Sequence, residues 1–174
     1  TGDYALLVEE SSCAIINCSI TESYVGVCLK KSPDIYIGSC YFDNNKAIAI
    51  MLENSNAEIE NTVIKSTGGP QVTVRLESYV SIKSSKILSG AKKGIIVDNS
   101  EAKIEDCEFS NNTTLALESR YNGKALLYSC KTENETVYCW HHDNGIIECN
   151  NCKGFIIENE TSDKEFNKEI ELTN

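Results

Sequence analysis

Apolar residues recur in this chain at every second position within short runs, and the runs themselves recur. An aliphatic residue followed three positions later by Cys, Thr or Ser appears at Ile15/Cys18, Ile37/Cys40, Ile59/Thr62, Ile82/Ser85, Ile104/Cys107, Leu127/Cys130 and Ile146/Cys149. The anchors recur with a period near 22, and only the last step, from Leu127 to Ile146, is shorter. Two positions after the small residue comes another apolar one in the first five units: Ile20, Phe42, Ile64, Ile87 and Phe109. Upstream of each anchor lies an alternating run ending in Val8, Leu29, Leu52, Leu76, Val97 or Leu117. A helical repeat would space its apolar residues by three and four; a period of two predicts strands.

Turn-forming residues punctuate each unit, among them Ser32-Pro33, Asn54 to Asn56, Gly68 to Pro70, Asn99-Ser100 and Asn111-Asn112. Short strands, small turns and this constant period predict an all-β right-handed parallel β-helix. Each unit would be one coil, with equivalent residues stacked about 4.8 Å apart. Six to seven coils are expected over residues 1–159. A leucine-rich-repeat horseshoe is the other fold of this period, but the L-x-x-L-x-L frame is not met. After Asn159 the composition turns charged, and residues 160–174 read as a polar C-terminal cap or tail. Ser162 with Glu165 forms a capping-box pattern there, and Phe166 with Ile170 would share a helical face. No comparable cap precedes Tyr4, so the first coil is expected to continue upstream.

Charge narrows the function. Sixteen basic against twenty-six acidic residues leave a net charge of −10, which disfavours nucleic acid as a partner. No apolar run approaches a bilayer span, so no membrane partner is expected. Nine cysteines, an odd count in a chain of this length, suit a reducing compartment better than a disulfide scaffold. The Asn-x-Ser/Thr sites are about as frequent as chance allows. The expectation is an intracellular, cytoplasmic protein, with secretion as the alternative.

The segments Ile104-Glu-Asp-Cys-Glu-Phe109 and Ile15-Ile-Asn-Cys-Ser-Ile20 resemble the β-helix repeat of the pectin-lyase-like superfamily, over roughly residues 4 to 159. In character the Cys-rich coils look most like its intracellular members, the SHC-binding spindle-associated family and the β-helix F-box family. That resemblance implies a non-catalytic recognition surface for another protein. No stretch matches an F-box.

Stacking converts residues into columns. The Cys/Thr/Ser column reads as tight internal packing at a bend, with Asn17, Asn61 and Asp106 bonding along the turn before it. Alternation places Leu7, Cys28, Met51, Arg75, Ile96 and Ala116 in one outward column. Glu9, Lys30, Glu53, Glu77, Asp98 and Glu118 form a second, and Ala5, Gly26, Ala49, Thr73, Gly94 and Thr114 a small-residue third. A contiguous apolar stripe usually marks an interface. The candidate partner-binding residues are therefore Met51, Arg75 and Ile96, flanked by Glu53, Glu77 and Asp98, facing a protein with a basic segment. The other explanation of the stripe is cover by another part of the same protein.

The alternative function is carbohydrate binding or polysaccharide degradation on the same face. Stacked carboxylates one coil apart are on the right scale for glycoside hydrolysis. No Asp-Asp pair, Arg-x-Lys or Gly-His-Gly accompanies them, and no aromatic residue is expected on that face, so no enzyme activity is expected. No cofactor is expected either. The alternative is a zinc site from Cys139, His141 or His142, Cys149 and Cys152, given the C-x-x-C spacing. Such a site would also account for the shorter last step. Against it, an inward Cys149 could not also reach a surface metal.

Overall fold

The computed structural model describes residues 3–65, 67–112, 114–133 and 137–159. The segment 160–174, expected to be the cap, lies outside them. The described residues form three parallel sheets, of 8, 7 and 6 strands, and each sheet takes every third strand in sequence order, save that the last step of the first sheet skips only one strand. This is the β-helix that the repeat predicts, with about seven turns and no helix among the described residues. The first sheet consists of Tyr4–Glu9, Val25–Lys30, Ile48–Glu53, Val72–Arg75, Lys93–Asp98, Leu115–Arg120, Val137–His141 and Phe155–Asn159.

The interior is a set of stacked columns. Ile15, Ile37, Ile59, Ile82, Ile104 and Leu127 pair in register down the second sheet. Ile20, Phe42, Ile64, Ile87 and Phe109 do so down the third. Each fully buried aliphatic side chain contributes about 1.5–3 kcal/mol. At the bend between these sheets, one residue per coil adopts a left-handed conformation: Asn17, Ser39, Asn61, Ser84, Asp106, Ser129 and Asn151. Short polar side chains tolerate that region best. At the bend leaving the first sheet, a serine ladder satisfies the backbone. Ser32, Ser55 and Ser78 each donate their N–H to the hydroxyl of the serine one coil on, at 3.0 Å.

Four expectations about register are corrected. Cys149 pairs with Leu127 in the aliphatic column. Cys152 takes the next place in the thiol column, since the N–H of Lys153 bonds to Cys130 O as that of Lys131 bonds to Cys107 O. The last repeat is therefore not shortened; Ile146 is outward and exposed. Second, Val74, not Leu76, pairs with Leu52 and Val97. Leu76 and Glu77 both take positive φ in the turn, and Leu76 is 55% exposed. Third, Leu117 pairs with Ile95 and Ser119 with Val97, because Tyr121 and Asn122 likewise occupy the next turn. Fourth, the small-residue column is not outward as read: Ala49 is in the core and Thr73 stands outward between Met51 and Ile96, while Ala116, read as part of the outward apolar column, is also in the core. A Cβ on Gly26 would lie 3.2 Å from Phe42 and 2.5 Å from the Ala49 carbonyl oxygen.

Candidate functional site

With the register settled, the outer face of the first sheet carries two central columns. One runs Leu7, Cys28, Met51, Thr73, Ile96, Glu118, Trp140, Glu158. The other runs Glu9, Lys30, Glu53, Arg75, Asp98, Arg120 and alternates in sign at every step. Arg75 thus leaves the Met51 column and stands between Glu53 and Asp98, while Glu77 lies in the turn beyond the strand. Glu53 pairs with both Arg75 and Lys30, the latter at 3.8 Å. Met51 and Ile96 share a column as expected, but each is only 7% exposed. Met51 packs with Val25 and Cys28 under Tyr4, Ala47 and Ile48. The apolar stripe is therefore mostly covered by its own neighbours.

Chemistry concentrates at the other end of the face. Glu118 is 2% exposed and is the hub. Lys93 Nζ donates to its Oε2 at 2.6 Å, Arg120 Nη1 stands 3.8 Å from the same oxygen, and His142 Nε2 lies 3.1 Å from Oε1. His142 Nδ1 is 2.8 Å from Asp143 Oδ2, and Arg120 Nε donates to Asp98 at 2.9 Å. Burial by itself would push the Glu118 carboxyl up. The hydrogen bonds from Lys93 and His142, with the charges of Lys93 and Arg120, outweigh it and hold the carboxyl below its usual value.

Aromatic rings frame this network. In Val137–His141, Val137 and Cys139 point into the core, so Tyr138 and Trp140 point outward. Trp140 lies 5.1 Å from the His142 ring, centroid to centroid, and Tyr121 packs edge-on at 6.1 Å. Arg120 lies over the Tyr121 ring at 5.5 Å. Tyr121 is 52% and Tyr138 47% exposed. This corrects the expectation that the face has no aromatic residue. The columns read from the sequence stop at the sixth coil, yet Trp140 stands one period after Glu118 and pairs with it. Extending the repeat by one coil would have found it.

The zinc alternative does not assemble. Among the described residues no group of three or more His, Cys, Asp or Glu side chains is placed to hold a metal ion. Cys139 is in the core, and His141 Nδ1 is held by the Gly145 carbonyl at 2.9 Å. Burial, then the neighbouring Cys152 thiol, pushes the Cys149 thiol up to about 12. Burial raises Cys139 further.

A family model described as periplasmic copper-binding protein (NosD) matches residues 1–138. The chain belongs to the NosD family. No curated protein sequence matches it significantly. Among solved structures, it is similar to an alginate lyase from Paenibacillus sp. str. FPU-7, with TM-score 0.50 and 10% identity. That match covers 90% of this chain and 76% of the lyase. It is also similar to the catalytic domain of a GH87 α-1,3-glucanase in complex with nigerose, with TM-score 0.43 and 9% identity, covering 83% of this chain and 48% of that one. At such identities the likeness to the lyase is one of fold.

The NosD match supports the pectin-lyase-like β-helix but not the likeness to the intracellular SHC-binding and F-box families. It overturns the cytoplasmic placement, because the family is a periplasmic one. The thiol count misled for a physical reason: Cys28, Cys40, Cys107, Cys130 and Cys139 are buried. A shielded thiol reports on packing, not on the redox state outside. The family's copper has no fitting set of ligands among the described residues. Trp140 and His142 lie beyond the matched segment. No helix among the described residues is long and apolar enough to cross a membrane.

Proposed function

We propose that this chain is a carbohydrate-binding β-helix module, with its ligand lying on the outer face of the first sheet around Trp140, Tyr138 and Tyr121. The observation that carries this reading is the aromatic trio set around a hydrogen-bonded network on one rigid sheet face. Sugar rings present apolar C–H faces to aromatic planes and hydroxyls to polar groups, and this end of the face offers both. Neighbouring coils repeat at about 4.8 Å, so rings on adjacent coils form a platform that follows the rod axis. An alginate lyase of the same fold acts, by its name, on a polysaccharide; the residues above supply the argument for this chain.

Binding without cleavage fits the carboxylates better than catalysis does. A glycosidase needs a protonated carboxyl as acid and a second, free one as base or nucleophile. Glu118 is held ionised with both oxygens engaged, and Asp98 is tied to Arg120. The protein-partner reading relied on Met51 and Ile96 as anchors, and they expose little surface to grip.

A glycan array followed by calorimetry tests the proposal. Trp140→Ala should weaken saccharide binding by about tenfold or more, with circular dichroism unchanged and no new reducing ends formed by the wild type. A folded protein that binds no glycan, or a Trp140→Ala variant that binds as well as wild type, refutes it.

A further inference from the structure

Resting on that reading, we propose that the saccharide is uncharged, and that the face discriminates against polyuronates. The charges of this face are already paired with one another. The four cations that the register places on this face, Lys30, Arg75, Lys93 and Arg120, each already reach a carboxylate of the same face. Around the aromatic trio, Lys93 and Arg120 are set against Asp98, Glu118 and Asp143. His142 joins the last two, with one carboxylate on each ring nitrogen. A neutral ring can donate to one of them and a protonated ring to both. In neither state does the cluster carry surplus positive charge.

A ligand carboxylate arriving here would have to take Lys93 or Arg120 from its present partner. Taking Lys93 would leave Glu118, buried beneath the face, short of its closest counter-charge. Taking Arg120 would uncover Asp98 and weaken the hold on Glu118 together. The chain's net charge of −10 adds a long-range repulsion against any polyanion. A neutral sugar meets none of these costs. Its hydroxyls can bond to the outer oxygens of Asp143 and Asp98 while its C–H faces stack on Tyr121, Tyr138 and Trp140. The ion pairs then act as a rigid, self-neutralised floor that fixes the rings and does not compete for the ligand.

The experiment measures affinity of the whole chain for neutral probes (cello-, xylo- and laminari-oligosaccharides) and for oligogalacturonate and oligomannuronate of equal length, at low and high salt. The expected result is binding of a neutral probe at least about tenfold tighter than any uronate, with little dependence on salt. Trp140→Ala and Tyr121→Ala should each weaken it; Tyr121 is largely exposed, so its loss leaves the core intact. Preference for a uronate, with affinity that falls steeply as salt rises, overturns this inference and leaves the binding face standing. Binding of neither class by folded protein overturns the proposed function itself. Neutral binding that both variants retain places the site elsewhere and overturns both.

Discussion

Replacing Glu118 by Gln removes one charge from the centre of the face while keeping its shape. The wild-type side chain accepts from Lys93 on one oxygen and from His142 on the other. An amide can keep its oxygen on Lys93 and turn its NH2 to His142, whose ring then accepts on Nε2 and donates to Asp143 from Nδ1, but the charge that offsets Lys93 is gone. Breaking a fully buried ion pair costs about 3–5 kcal/mol. The Lys93 side chain is 24% exposed and can swing into water, and Arg120 keeps Asp98. The expected loss is therefore about 2 kcal/mol at neutral pH, close to that of one charge-assisted hydrogen bond. For a chain of this size that lowers Tm by about 4–8 °C. The pH dependence is a sharper test. Folding holds the Glu118 carboxyl below its usual 4.5, so its contribution is complete above that value and is lost as pH falls through the folded value. Urea unfolding followed by circular dichroism should show the full gap between wild type and Glu118→Gln at pH 7, narrowing below pH 4.5. A gap under about 0.5 kcal/mol at pH 7, or one that persists undiminished in strong acid, would refute the network's role.

Three further outcomes are expected. The Thr73 hydroxyl is buried with no hydrogen-bond partner, so Thr73→Val should raise stability by about 1 kcal/mol in the same unfolding assay; destabilisation would mean that the hydroxyl is satisfied. Gly94→Ala would set a Cβ 2.4 Å from the Ala116 carbonyl oxygen and 3.2 Å from Ile87. The coils must shift to admit it, and a loss of about 2 kcal/mol is expected, where an unchanged Tm would place Gly94 outward. Of the nine free cysteines, Cys18 alone is exposed. A bulky thiol reagent should label it first in the native protein, as peptide mapping would show, and prompt labelling of Cys107, Cys130 or Cys139 would contradict the packed interior.

Much of this architecture was written in the local pattern. Period-two alternation named strands, the constant longer period named a solenoid, and the Ile and Cys/Thr/Ser positions named its inner columns, because an inward slot repeated each coil accepts only residues of like size. Asn17, Asn61 and Asp106 were legible as turn residues beside that column, but their left-handed backbone conformation came from the structure. What remained undecided was register wherever apolar residues alternate through the end of a strand. Val72, Val74 and Leu76 satisfy the pattern equally well in two alignments, as do Leu115 and Leu117. Only the number of turn residues, one left-handed residue in some coils and two after Arg75 and Arg120, selects between them. A shift by two positions keeps every side chain on its proper face, so hydrophobicity cannot detect it, yet it changes which coil-mates touch. That shift set Arg75 between Glu53 and Asp98 and brought Glu118 under Trp140. The burial of Met51 and Ile96 and the charge pairing of the face were likewise decided between coils, where neighbours in space stand a whole period apart in sequence and a single coil's composition says nothing of them.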